Sequence, residues 1–257
     1  QGVPVMVFVP DIEPAQSVKA VIRIARRVAV TVADSMRYMG GDEETLQRKV
    51  KVTGYPLGER ITRWDREKGR AALELPEADR VLLVFGGSRG ARSINRALME
   101  NIAPLTEMCD VVHISGTLDW PEVAATREAL PESVQMKYHA HPYLHERMGA
   151  ALAAADLVIS RAGAGVLGEF PYFGLPAVLV PYPHAWRYQR VNADWLADRG
   201  AAVVVEDEDL ADEMVSTVSA LLAHPGRLEE MAAASRALAH PEAAHEIAKH
   251  LLELGRG

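Results

Sequence analysis

The sequence predicts an α/β protein built on Rossmann-like parallel sheets with helices on both faces. Short apolar runs alternate with helical-period segments along almost the whole chain, a pattern that packs as parallel strands joined by helical crossovers. Two glycine-rich turns, at 86–90 and 161–168, each follow an apolar run and lead into a helical segment. The chain has 257 residues, 49% apolar and 25% charged, enough for one large or two ordinary globular domains.

The elements read in order as follows. Val3–Val9 is a strand and Ser17–Arg27 an amphipathic helix; Val28–Ala33 and Lys49–Thr53 are further strands. Gly54-Tyr55-Pro56-Leu57-Gly58 concentrates chain breakers and marks a domain boundary, followed by a charged helix near Thr62–Ala72. The second block opens with strand Arg80–Phe85, helix Ala91–Ile102, strand Val111–Ser115, helix Pro121–Ala129 and strand Val134–Tyr138. Helix Leu144–Ala154, strand Asp156–Ile159, a glycine turn opening a helix, and strand Leu175–Pro181 come next. Helix Arg187–Asp198 and strand Ala201–Val205 follow, and the last stretch is helical, with proline starts at Pro225 and Pro241. About six strands in this block match a Rossmann-like domain, whereas about three in the first are too few for an independent doubly wound sheet. The expectation is a partial N-terminal domain over 1–57, a complete C-terminal domain over 58–239, and a terminal helix over 240–257 packing back toward the first block.

Charge and composition exclude several classes. A net charge of −7 leaves no basic excess for general nucleic-acid binding. The single cysteine, Cys109, excludes an internal disulfide, fits a reducing compartment and reads as a small buried side chain. No apolar run reaches the ~18 residues that span a bilayer, and no signal peptide is visible. Lys19, Arg23, Arg26 and Arg27 form a basic stripe, which fits a solvated helix face or a contact with anionic lipid headgroups.

Three segments carry chemistry. In Ser160-Arg161-Ala162-Gly163-Ala164-Gly165-Val166-Leu167-Gly168-Glu169, small residues at a helix start let a phosphate approach free N–H groups and the positive end of the helix dipole. Glu169 sits where a carboxylate can accept from two ribose hydroxyls. The second turn, Gly86-Gly87-Ser88-Arg89-Gly90-Ala91-Arg92, offers close backbone approach and the Ser88 hydroxyl, or serves only as a tight strand-to-helix turn. The third, Pro181 to Asn192, lies at the carboxyl edge of the same sheet, where open α/β sheets bind ligands, and offers His184 and Gln189 to a sugar. Asp207-Glu208-Asp209 looks like an Asp-x-Asp metal motif, but it precedes a helix, so Asp209 reads more simply as an N-cap and no metal is expected.

As a set, these segments resemble the lipid I N-acetylglucosaminyltransferases, the MurG family of glycosyltransferase family 28, which has the two-domain GT-B fold. The matching residues are Gly86-Gly87-Ser88-Arg89-Gly90-Ala91-Arg92, Arg161-Ala162-Gly163-Ala164 with Glu169, Pro181 with His184, and Gln189 with Asn192-Ala193. The agreement covers roughly residues 80–205, with a weaker likeness back to residue 2. The resemblance implies that Glu169 holds the ribose hydroxyls of UDP, that Gly163, Ala164, Gly165 and Val166 present backbone to the diphosphate, and that Gly87 and Ser88 add to that turn. It implies that backbone near Leu144 reads the uracil edge and that His184, Tyr188 and Gln189 face the N-acetylglucosamine. It further implies an inverting, metal-independent and cofactor-free transfer from UDP-N-acetylglucosamine to a lipid-linked acceptor, lipid I, in peptidoglycan precursor synthesis, by a cytoplasmic enzyme peripheral on the inner face of the cell membrane.

The chain also departs from the family. Gly2 to Asp11 and Gly54 to Gly58 stand where the family carries different acceptor-side motifs, and Val166 replaces a usual threonine. The family's N-terminal glycine-rich loop, with its candidate catalytic histidine, has no counterpart here. The expectation is therefore an N-terminally truncated or diverged member, its base outside this chain or its N-terminal half supplied by a partner. Asp11 is the one candidate base within the chain, set against a plain turn aspartate before Pro14. Three other functions remain open: a related transferase with a glycolipid or small-molecule acceptor, a UDP-N-acetylglucosamine epimerase, and a non-catalytic donor-binding module.

Overall fold

The computed structural model describes residues 2–77, 79–87, 90–184 and 188–256. Three strands, β1 (Met6–Val9), β2 (Arg27–Val30) and β3 (Val50–Val52), pair in parallel in that order, with α1 (Gln16–Ile24) and α2 (Glu43–Lys49) as crossovers. Two short helices, α3 (Glu59–Thr62) and α4 (Arg66–Ala72), lead to a second sheet. It holds β4 (Val81–Phe85), β5 (Asp110–Ile114), β6 (Tyr138–His141), β7 (Leu157–Ser160), β8 (Ala177–Leu179) and β9 (Ala202–Val204), all parallel. The connections are α5 (Arg92–Thr106), α6 (Trp120–Ala129), α7 (Glu132–Gln135), α8 (Met148–Ala154), α9 (Val166–Phe173) and α10 (Tyr188–Ala197), and α11 (Leu210–Leu222), α12 (Pro225–Arg236) and α13 (Ala243–Arg256) close the chain.

The larger sheet runs β6-β5-β4-β7-β8-β9, so the chain winds outward in one direction from β4 and in the other from β7. That order is the doubly wound Rossmann topology, and the pair of sheets has the GT-B arrangement. Alternation along each strand splits its side chains between two cores: Val81 and Leu83 face one, Leu82 and Val84 the other. Apolar side chains line both faces of β4, which explains why it reads as a continuous hydrophobic run. Cys109 is 1% exposed, and burial pushes its thiol up to about 12.

Four expectations need correction. Residues 132–135 form α7, not a strand, because Pro131 O accepts from Val134 N and Gln135 N; the strand starts only at Tyr138, opposite Val111. The Thr62–Ala72 helix is two helices, since Asp65 caps Lys68 N at 2.9 Å and restarts the ladder. The Leu144–Ala154 helix begins as a 3-10 turn over His145–Arg147, with His145 in the left-handed region at φ 45°. The first helix stops at Ile24, and Arg27 belongs to β2. The basic stripe is thus broken: Lys19 faces Glu13 at 3.5 Å, and Arg27 Nη1 donates to His250 O and Glu253, each at 2.9 Å.

Candidate functional site

Strands β4 and β7 lie side by side where the strand order reverses, so the turns leaving their carboxyl ends cannot cover each other and a crevice opens between them. A cavity of about 430 Å³ lies there. The turn after β4 contributes Gly86 and Gly87, and the turn after β7 contributes Gly163, Gly165, Val166 and Glu169. Leu144 and His145, between β6 and α8, form the third wall, and Gln189 of α10 closes the rim.

The glycines make these turns possible. Gly87 sits at φ 91° with nothing near its missing Cβ, so its backbone faces open cavity. A Cβ on Gly86 would lie 2.2 Å from Ala91 N, which ties the turn to the start of α5. Helix α9 begins at Gly165 without a side-chain cap. Among the described residues the N–H groups of Ala164 and Gly165 have no backbone acceptor, whereas Val166 N donates to Gly163 O at 3.1 Å. Open N–H groups at a helix start form an anion site.

Glu169 stands one turn into α9, with its carboxyl atoms 3.5 Å from where a Cβ of Gly165 would be. Burial holds its carboxyl above the usual glutamate value. No hydrogen bond or ion pair to it is found among the described residues. A desolvated acceptor without a donor is costly in the empty protein and available to a ligand that brings hydroxyl donors.

The remaining expected site residues divide. Leu144 is 3% exposed and lines the cavity, and so does Val166, at 4%. Gln189 Oε1 accepts from Tyr182 N at 2.9 Å and faces both this cavity and an adjoining compartment of about 710 Å³. His184 lines that second compartment, exposed and edge-on to Tyr182 at 5.5 Å. Tyr188 opens α10 half-buried but, like Ala164, lines neither space among the described residues. Ser88 lies outside the described residues.

Sequence reasoning missed what organises the edge. Arg161, 9% exposed, pairs with Asp207 at 2.5 Å, donates to Ser93 Oγ at 2.7 Å and Val180 O at 3.1 Å, and lies over the Tyr182 ring at 5.2 Å. The apparent metal motif is thereby dismantled: Asp207 holds Arg161, Glu206 holds Arg190, and Asp209 is exposed and makes no side-chain cap. The Asp209 N-cap expectation is corrected accordingly; the residue occupies the position without the bond. Such pairings cross distant segments, so no local signal announces them.

The first sheet meets this edge through α10. Asn192, 0% exposed, donates to Asp11 Oδ1 at 2.9 Å and Ala162 O at 3.1 Å and accepts from Ile12 N at 3.2 Å. Burial raises the Asp11 carboxyl against the opposing Asn192 bond. Tyr55 packs where Gly168 has no side chain: a Cβ there would lie 2.6 Å from Tyr55 Cβ. Burial, with the nearby Glu169 and Asp11 carboxylates, raises its phenol.

Residues 81–247 match the model of the glycosyltransferase family 28 C-terminal domain. A relative from Roseiflexus sp. (strain RS-1), named UDP-N-acetylglucosamine–N-acetylmuramyl-(pentapeptide) pyrophosphoryl-undecaprenol N-acetylglucosamine transferase, is 40% identical over 96% of this chain and 63% of its own length. A relative of the same name from Desulforamulus reducens is 34% identical over 97% of the chain and 67% of its own length. The chain thus spans about two thirds of the length of the curated relatives it matches. The crystal structure of Acinetobacter baumannii MurG superposes with a TM-score of 0.73 at 25% identity, covering 98% of this chain and 67% of that one. A UDP-GlcNAc 2-epimerase from Neisseria meningitidis shares the fold at a TM-score of 0.62 and 16% identity, over 90% of this chain and 62% of that one. With a family match over most of the second sheet and its helices, the chain belongs to glycosyltransferase family 28.

Proposed function

We propose that this chain carries the donor site of a transferase that moves N-acetylglucosamine from UDP-N-acetylglucosamine to a lipid-linked acceptor. The observation that carries the reading is the unpaired, desolvated Glu169 carboxylate beside the open N–H groups of Ala164 and Gly165. Glu169 accepts from both ribose hydroxyls, the diphosphate lies over the start of α9 and against Gly87, and the uracil edge meets backbone at Leu144. The sugar then points toward Gln189 and His184 in the second compartment. Departure of UDP leaves negative charge on the diphosphate, and preoriented N–H groups with the helix dipole stabilise that charge as it develops, so no metal is needed. Asp11 is read as a tether of Asn192, with the base supplied from elsewhere in the assembled enzyme.

A lipid-linked acceptor requires approach to a membrane. Arg26, Arg27, Arg48 and Lys49 line a hollow of about 480 Å³ with one acid, Glu253, and Ile24, the last residue of α1, is 78% exposed. This face supports contact with anionic headgroups at the inner surface of the cell membrane. No helix among the described residues is long and apolar enough to cross a membrane.

The test has two parts. Calorimetry of this chain with UDP-N-acetylglucosamine, UDP-glucose and UDP should show binding of all three, tightest for the N-acetyl sugar; no binding of any would overturn the donor-site reading. The full-length gene product should then transfer N-acetylglucosamine to lipid I, undiminished by chelators. Release of an epimerised sugar without acceptor would replace this reading with the epimerase.

A further inference from the structure

A buried polar chain runs from the edge strand β6 of the six-stranded sheet to Gly90 and the start of α5. His113 on β5 and Tyr138 on β6 are both 0% exposed, Asn95 on α5 is 1% exposed, and Asp119 at the start of α6 is 7% exposed. Buried polar groups cost free energy unless they are bonded, and a β-sheet core packs without them.

The bonds have a single consistent direction. Asn95 Nδ2 donates to Ser115 O and to Asp119 Oδ2, each at 2.8 Å. The reverse amide orientation would set its oxygen against a carbonyl and a carboxylate, so Oδ1 is the atom facing His113 Nε2 at 3.0 Å. Nε2 therefore carries the ring proton, and the bare Nδ1 accepts from the Tyr138 hydroxyl at 2.7 Å. Burial pushes His113 down to about 3, so the ring is neutral at physiological pH and no donor reverses.

Asn95 and Asp119 are the members that hold the turn. A Cβ on Gly90 would lie 2.3 Å from Ser115 O, so the turn rests on the carbonyl that Asn95 fixes. Gly90 N closes the turn onto Gly87 O at 3.0 Å. At the far end, Asp119 Oδ1 accepts from Nε of Arg92, the first residue of α5, at 3.1 Å, and Arg92 lines the second compartment. Helix α5 has Ala91 at its N-cap and no side-chain cap, so its start is oriented from beneath and left open above.

We propose that the Tyr138–His113–Asn95–Asp119 chain fixes Gly90 and the start of α5, and through the Gly90 N–Gly87 O bond the Gly87 backbone that receives the nucleotide's diphosphate, with Asn95 as the positioning residue. This rests on the donor-site reading above. It separates phosphate binding from nucleoside binding: the network touches the turn under the diphosphate and none of the residues assigned to uracil or ribose.

The test is a titration of the whole chain with UDP and with uridine, which lacks phosphates. Asn95→Leu should weaken UDP about tenfold, the worth of one well-oriented hydrogen bond, and leave uridine unchanged. His113→Leu should do the same. His113→Gln keeps a donor toward Asn95 and should restore UDP binding, a rescue that a purely volumetric role would not give. Should Asn95→Leu fail to fold by circular dichroism, Tyr138→Phe removes one hydroxyl at constant volume and should show a smaller loss confined to UDP. Folded variants that lose both ligands alike, or neither, would overturn the proposal. A wild-type chain that binds no UDP would overturn the donor-site reading and this proposal together, and that measurement comes first.

Discussion

Two acidic side chains mark the carboxyl edge of the six-stranded sheet, and they are held in opposite ways. Asp207, after β9, is tied to Arg161 and accepts from Ser93 Oγ at 2.7 Å. Glu169, in the first turn of α9, is half-buried against the cavity, with its carboxyl raised and no partner among the described residues. In sequence Asp207 is the more conspicuous, standing in an Asp-x-Asp pattern after a strand. The structure reverses that ranking. A carboxylate whose lone pairs are filled by the protein builds the edge, and one left desolvated beside open N–H groups is free for a ligand.

The largest expected effect breaks the comparison at its functional side. Glu169→Ala should weaken UDP about 100-fold, the loss of two charge-assisted hydrogen bonds, measured by calorimetry. The melting temperature of the empty variant should not fall, because the substitution removes a half-buried carboxylate with no partner among the described residues. Asp207→Ala should do the reverse. It strands Arg161, costing about 2 kcal/mol in denaturant unfolding, below the usual figure for a broken buried pair because Asp207 is 20% exposed.

A third prediction uses pH. The Glu169 carboxyl lies above its ordinary value of 4.5 in the folded chain. The folded state thus holds the proton more tightly than the unfolded one. Its contribution to stability is full below the unfolded value and is lost as pH rises through the folded one. UDP affinity should climb over the same window as the acceptor ionises. Thermal melts across that range should show a fall in stability that is shallower in Glu169→Gln. Asp11 is raised too and supplies the part of the fall that remains. The smallest effect is Asp209→Ala, expected to change stability by less than about 0.5 kcal/mol because its side chain caps nothing.

What was legible in the sequence follows from the range of the forces involved. The strands of the larger sheet were legible because burial on both faces writes continuous apolar runs; the 86–90 turn because close approach and positive φ demand glycine, and the 161–168 turn because Gly168 leaves room for Tyr55. Residues 132–135 were misread because Val134 and Gln135 carry no periodicity to separate a helical turn after Pro131 from a strand. His145 gave no warning of its left-handed backbone. The pairings Arg161–Asp207, Asn192–Asp11 and Asn95–His113 were invisible because they join residues 46, 181 and 18 positions apart through tertiary contact alone. The chemistry of the cavity was thus readable from its turns, and the framework that aims them was not.

The most direct test is the structure of this chain with UDP bound. The account predicts both ribose hydroxyls within hydrogen-bond distance of the Glu169 carboxylate, the diphosphate over the N–H groups of Ala164 and Gly165, and Asp207 still paired with Arg161. A nucleotide bound with Glu169 unengaged, or held through a cation on Asp207, would contradict it.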